Sequence, residues 1–577
     1  MSRPVKDALI CEILDYCAGK PPLNGENEPM GVGRYPSRRA GFHELFSPID
    51  IGSLSLKGKT LIAPLSPIGE SFAPDGETER FYLSRSGAAL LTTAPVPAGF
   101  DGDPFLPQRW LPLNERMHAR GARMLFQIAL DGSTPQTVVN MAVRALPGGF
   151  DGICLNAREH EEELHETVCA IRERLGKNLP ILCRVSLSHA AGESGFDIGN
   201  GKAPASLSER YPRLTELARA GVDAFEVTLG GPETPWLLSP SERAPAGCFA
   251  EAARALKALF RFHGISAAVI ASGRLAYPKL AENLLESGMC DMISLDGAGI
   301  EDPDWIRKVR NGRCGEIAPL PLPAIHAEPG AERVAVVGGG LRGILYALDA
   351  VDRGMTVDLF EARERLGGRL ALFPSRMAYE EENRLSYLLR ELEKRPSIRV
   401  RLGTRATGGL LRAGSYDRIV FACRAAAVTI PNIPGWGEIK YTTAEQLGEA
   451  LSGKWRRKHV AVLGSDALAC DIAWALQAEG LAKKVTLITQ KAEIMPEKSE
   501  ADLAWFRHFF LQRGGSVVIG CELLRMRRHS VVYRESPEGR EIHLRCDRIV
   551  LLEEGPVPLR LYQEAIAGKI APEIILL

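Results

Sequence analysis

From Leu61 to Gly297 the chain repeats one pattern eight times: a short apolar run, then a stretch whose apolar residues recur at helical spacing. The runs are TLIAPL, AALLTTA, RMLFQIA, GICLN, ILCRVS, AFEVTLGG, AAVIASG and MISLDG. A run that is apolar without alternation belongs to a strand buried on both faces, which is the condition of a parallel sheet covered by helices. Eight strand-helix units in roughly 250 residues predict a (β/α)8 barrel. EEELHETVCAIRERL and AYPKLAENLLESG carry the helical spacing that the intervening stretches need.

After the barrel, EIAPLPLPAIHAEPGAE is rich in proline and aperiodic, as a linker is. RVAVVGGGLRGILYALDAVDRGMTVDLFE then supplies a strand, Gly338, Gly340 and Gly343 in GxGxxG order, a helix, and a second strand ending in Glu361, 18 positions after Gly343. Glycines at those positions let a pyrophosphate approach a helix N-terminus, and an acidic residue near that distance accepts from a ribose hydroxyl. The plainer alternative is a Rossmann turn kept for helix packing alone. VAVLGSDALACDIAWAL repeats the layout, but only Gly464 remains, with Asp466 and Ala469 in the other two glycine positions. A carboxylate there repels the anion that the helix dipole attracts, so this unit reads as a Rossmann fold with a damaged dinucleotide site. The expected order is an N-terminal extension (1–42), a barrel (43–315), a linker (316–332), an FAD-type Rossmann domain (333–452, completed by 545–577) and an inserted NAD(P)-type Rossmann domain (453–544).

The 577 residues are 45% hydrophobic, enough for several well-buried cores, and Lys+Arg and Asp+Glu each total 71. That balance gives no reason to expect nucleic acid or an anionic membrane as partner. No run approaches the roughly 20 apolar residues of a membrane span, and MSRPVKDALICEILDYC lacks the hydrophobic region of a signal peptide, so a cytoplasmic protein is expected. The 12 cysteines show no CxxC pair, and His160 and His165 in HEEELH stand five apart, off the i, i+4 face that zinc helices use.

A barrel followed by two nested Rossmann units, introduced by LFSPIDIGSLSLKGKTLIAPL, resembles the NADH:flavin oxidoreductases of the old yellow enzyme superfamily, in particular the 2,4-dienoyl-CoA reductase and trimethylamine dehydrogenase subgroup. The resemblance implies FMN in the barrel, a 4Fe-4S cluster at its end, and FAD and NAD(P)H in the Rossmann pair, with electrons passing from nicotinamide through FAD, cluster and FMN to substrate.

Matched station by station, the resemblance assigns FMN contacts to Ala63 and Pro64, Gln127, Arg184, and the phosphate-binding Gly273 and Arg274. A second Gly-Arg pair is replaced by Asp296 and Gly297, where Gly297 and Gly299 would offer only backbone N–H groups. The HGAH substrate motif becomes Asn156 through Glu159. Asn156 and Glu159 are thus the candidates for catalysis, and a surface helix start is the plainer account of Glu159. The cluster would lack its ligands, because Arg313 to Glu332 contains only Cys314. For FAD, Gly338, Gly340, Gly343, Glu361 and ERLGGRL match, while the ATG turn is ACR at Ala422 to Arg424 and APEIILL stands where the GD motif would follow; FAD or another adenine nucleotide is expected there, and NAD(P)H is not expected to bind.

The expectation is therefore a divergent flavoprotein that binds FMN, holds no 4Fe-4S cluster, and does not run the full electron route alone. It would act as a homo-oligomer or with a complete paralogue in a redox assembly. An active FMN-dependent oxidoreductase fed by another donor, and a catalytically silent structural or nucleotide-sensing protein, are the alternatives.

Overall fold

The computed structural model describes residues 41–577 apart from 65–71, 104, 158–162, 188–206, 231–239, 241–245, 320–324, 331, 369–378, 424–432, 444–446, 448–453, 479, 497 and 553–559. The chain divides into two compact units, the first Met1–Ala318 with Glu500–Trp505 and the second Pro319–Ser499 with Phe506–Leu577.

In the first unit an antiparallel hairpin, Ile49–Ile51 with Leu54–Leu56, precedes eight parallel strands. These are β1 (Thr60–Ile62), β2 (Leu90–Thr92), β3 (Arg123–Ala129), β4 (Gly152–Asn156), β5 (Ile181–Ser186), β6 (Ala224–Thr228), β7 (Ala268–Ala271) and β8 (Met292–Ser294). Each pairs with the next, and β8 returns to β1 through Ile293 opposite Thr60 and Ser294 opposite Leu61, so the sheet closes. The eight apolar runs are these eight strands. Helices fill the connections, among them α1 (Leu164–Leu175) after β4. Leu61, Leu90, Leu125, Leu182 and Ala224 form one buried cluster with Ile51, Leu54 and Leu56, so the hairpin packs on the lowest interior layer. Side chains along a strand alternate between faces. Two residues further along the same strands, Ala63, Thr92, Gln127, Arg184 and Glu226 therefore share the interior face one step nearer the C-terminal mouth, where barrel active sites are built.

The second unit holds two parallel Rossmann-type sheets. The first contains β9 (Arg333–Val337), β10 (Thr356–Phe360), β11 (Ile398–Arg401) and β12 (Arg418–Phe421), in the order β11-β10-β9-β12, followed by the last strand of the chain, Glu573–Leu576. The second sheet runs β13 (Tyr441–Thr443), then Arg548–Leu551, β14 (His459–Leu463), β15 (Lys484–Ile488) and β16 (Ser516–Val518). Helix α2 (Leu341–Asp352) follows β9, and α3 (Ala467–Ala478) follows β14. An antiparallel sheet of Glu522–Arg527, Ser530–Arg534 and Ile542–Arg545 buries Leu523, Met526, Val531 and Tyr533 against Ala461, Leu463, Ile549 and Leu551.

Two strands belong to a different sheet from the one the sequence boundaries give them. Tyr441–Thr443 and Arg548–Leu551 pair with each other, and the latter pairs with His459–Leu463, so both extend the second sheet. The crossover back to the first sheet comes after Leu551. Among the described residues no helix is long and apolar enough to cross a membrane.

Candidate functional site

In the barrel interior, the amide nitrogen of Gln127 on β3 donates to Thr93 O at 2.6 Å and to Pro64 O and Thr92 Oγ1 at 3.2 Å, while its backbone N–H reaches Thr93 Oγ1 at 2.9 Å. Its oxygen accepts from Arg184 Nη1 at 3.2 Å. Arg184, on β5, lies directly across from Glu226 on β6. Its Nη2 donates to Glu226 Oε1 at 3.2 Å, and Nε faces Glu226 Oε2 at 2.7 Å as an ionic contact off the hydrogen-bonding angle. Nη1 also reaches Ala63 O at 3.5 Å. Arg184 and Glu226 are 1% and 0% exposed. A guanidinium withdrawn from water needs a counter-charge, which Glu226 provides. Cys154 on β4 lies in the same interior; burial pushes its thiol up, Glu226 adds to the shift, and Arg184 opposes it.

The structure thus brings Ala63, Pro64, Gln127 and Arg184 into one connected polar layer. Gly273 and Arg274 stand just after β7 with φ of 88° and 55°. A positive φ is uncommon for a residue with a side chain and marks a turn imposed by its surroundings. A Cβ on Gly273 would lie 2.6 Å from the Phe249 ring, so only glycine fits. Gly297 is half-exposed in the short helix Asp296–Glu301, which starts almost directly after β8. Gly299 does not offer a spare donor, because its N–H is taken by Leu295 O at 3.2 Å within that helix. Asn156 ends β4, half-buried at the barrel mouth, with its backbone oxygen accepting from Leu130 N. Glu159, read from the sequence as a surface helix start, lies outside the described residues; among the described residues of this connection the helix is α1.

At the first Rossmann turn, the three glycines have separable tasks. Gly338 has φ 115°, and a Cβ there would come within 2.9 Å of Ala422 O and Cys423 N. A Cβ on Gly343 would sit 1.9 Å from Gly338 O, so this glycine is required by helix-strand packing. Gly340 has ordinary φ of −80°, and its Cβ would meet nothing closer than Gly368 Cα at 3.9 Å. That opening suits close approach by a phosphate. Gly367 bridges to Gly340 and donates to Gly339 O at 2.8 Å, which lays Gly367 along the turn. Glu361 accepts from Gly339 N at 2.8 Å and Arg363 N at 2.9 Å. A carboxylate has about four acceptor sites, so the held group keeps capacity for a ribose hydroxyl. These residues fit an adenine nucleotide.

The second turn differs. Asp466 Oδ1 accepts from Ala469 N at 3.0 Å and caps α3, filling the helix N-terminus with a carboxylate. A Cβ on Gly464 would lie 2.7 Å from Ala469 Cβ, so Ala469 already fills the space beside the first glycine. This arrangement does not fit a pyrophosphate.

The pyridine nucleotide-disulphide oxidoreductase family matches residues 407–553, and the NAD(P)-binding Rossmann-like domain matches residues 336–404. An NADH oxidase of Thermoanaerobacter brockii is 26% identical over 89% of this chain and 93% of its own. In sequence and fold the chain is similar to old yellow enzyme-like NADH:flavin oxidoreductases, with a region that matches the pyridine nucleotide-disulphide oxidoreductase family. A metal reductase of Desulforamulus reducens is 24% identical over 78% of this chain and 81% of its own. A structure of 2-naphthoyl-CoA reductase in complex with 2-naphthoyl-CoA shares the fold at TM-score 0.73 and 18% identity, covering 93% of this chain and 96% of that one.

Sequence reading missed Glu226. Its signal was an acidic residue inside an otherwise apolar strand, AFEVT, where a buried carboxylate needs a partner.

Proposed function

We propose that this chain is an FMN-binding member of its family that does not accept hydride from NAD(P)H by itself and works within a redox assembly. The observation that carries the reading is a contrast between its sites. The barrel keeps a connected polar layer of Gln127 and Arg184 beneath its mouth, whereas Asp466 occupies the second Rossmann turn. Ala63, Pro64, Gln127 and Arg184 would hold the flavin ring, and Gly273, Arg274 and Gly297 its phosphate. Bound FMN would supply reversible two-electron exchange with an acceptor. Gln127 and Arg184 would orient the hydrogen-bonding edge of the ring, and Asn156 would donate to an acceptor's carbonyl. The first Rossmann turn takes FAD or another adenine nucleotide through Gly338, Gly340, Gly343 and Glu361. Arg313 to Glu332 offers a 4Fe-4S cluster only Cys314. A complete paralogue or a second copy of the chain is the proposed partner.

Purification of the full chain with added FMN, followed by a visible spectrum and mass identification of released flavin, tests the reading. About one FMN per chain is expected; a chain that retains no flavin overturns it. The retained polar layer also favours a second reading, a working FMN oxidoreductase fed by another donor. Rapid reoxidation of the dithionite-reduced protein by a panel of enones and enoyl-CoAs would select that reading.

A further inference from the structure

A guanidinium withdrawn from water needs its charge balanced, and Arg184 is buried. A flavin site can use an anionic ligand for this, and the positive charge then favours the reduced, anionic ring. Here the balance is built into the protein. Arg184 and Glu226 are paired positions on adjacent strands, the carboxylate takes Nε at 2.7 Å and Nη2 at 3.2 Å, and neither side chain is more than 1% exposed. The remaining nitrogen, Nη1, is directed to Gln127 Oε1 and Ala63 O.

We propose that Glu226 is a positioning residue that neutralises Arg184 beneath the flavin and lowers the reduction potential of the bound cofactor. The inference rests on the FMN reading above. Glu226 acts through Arg184: it fixes the guanidinium plane so that Nη1 keeps its place beside Gln127, and it cancels the charge that would otherwise stabilise the reduced ring. A barrel of this kind makes bound FMN a stronger reductant, suited to acceptors that are hard to reduce.

The test is the midpoint potential of FMN bound to the full chain, measured by anaerobic equilibration with a reference dye in wild type and Glu226→Gln. The amide keeps the shape and removes the charge. Affinity for reduced over oxidised FMN is expected to rise at least tenfold, a positive shift of about 30 mV for a two-electron couple. Retained FMN with a potential within a few millivolts of wild type would overturn the inference and leave FMN binding standing. A wild-type chain that takes up no FMN would overturn the FMN reading and, with it, this inference. Arg184→Gln/Glu226→Gln removes both charges and provides a variant should the single one fail to fold. Its reduced-to-oxidised affinity ratio is expected within tenfold of wild type, and a larger change in either direction contradicts the charge-balance account.

Discussion

Asp466 Oδ1 accepts the backbone amide of Ala469 at 3.0 Å, so one carboxylate both caps helix α3 and stands where a pyrophosphate-binding turn has its second glycine. The cap satisfies a helix donor that has no intrahelical partner, and the dipole that would attract a phosphate attracts Asp466 instead. The same contact that stabilises the helix start is the one proposed to oppose a dinucleotide.

Replacing Asp466 by glycine separates these effects. Asp466→Gly costs only a few tenths of a kcal/mol in capping, whereas alanine costs about 1 kcal/mol. Asp466→Gly with Ser465→Gly is therefore expected to fold and to bind NADH or NADPH at least about tenfold more tightly, the ratio that 1.4 kcal/mol represents. Calorimetric titration of wild type and variant reads this out. Micromolar affinity in the wild-type chain contradicts the prediction.

Gly340 and Gly343 give a paired prediction at the first turn. Gly340→Ala places its methyl in the opening near Gly368, so unfolding should move by less than about 1 kcal/mol while adenine nucleotide binding falls sharply. Gly343→Ala drives a methyl to within 1.9 Å of Gly338 O and is expected to destabilise the unit by about 1–3 kcal/mol. Denaturant midpoints and nucleotide titrations of the two variants check it; equal loss of stability in both contradicts separate roles.

The barrel was legible because strands buried on both faces leave unbroken apolar runs, and each of the eight runs can be placed by composition alone. The Rossmann turns were legible for the same reason, helped by glycine spacing. What spacing cannot give is pairing. Arg184 and Glu226 are 42 positions apart and meet only once β5 and β6 are in register. Arg548–Leu551 reads as another apolar strand, and nothing local assigns it to the second sheet rather than the first. Asp466 was visible as an obstruction, but its capping bond needed the geometry of the turn.

Arg274 follows Gly273 in a left-handed turn after β7. Arg274→Ala removes a charge-assisted contact of a class worth about 1.5–3 kcal/mol, so FMN affinity should fall about ten- to a hundredfold. Fluorescence titration with FMN measures it, and Arg274→Lys should recover part of the loss. Unchanged FMN affinity in Arg274→Ala would move the phosphate site elsewhere.

Asp358 predicts a pH dependence in the second unit. Burial pushes its carboxyl up, but hydrogen bonds from Tyr416 at 2.9 Å and from Arg333 and Arg401 at 3.2 Å outweigh this and hold it below its usual range. A depressed folded pKa stabilises the fold above the unfolded value of about 3.9, and that contribution disappears as pH falls through the folded value. Asp358→Asn should cost about 1.5 kcal/mol at pH 7, and its deficit relative to wild type should shrink below about pH 4. Denaturant unfolding across pH tests this; a deficit that grows on acidification contradicts it.

On the proposed function, this chain holds FMN yet does not reduce it with a nicotinamide. Anaerobic mixing of the FMN-loaded full chain with NADH, with NADPH and separately with dithionite, following loss of flavin absorbance, measures this directly. Prompt bleaching by dithionite is expected, with bleaching by either nicotinamide no faster than that of free FMN in the same buffer. Rapid bleaching by NADH or NADPH would show that hydride passes through this chain and would overturn the proposed function.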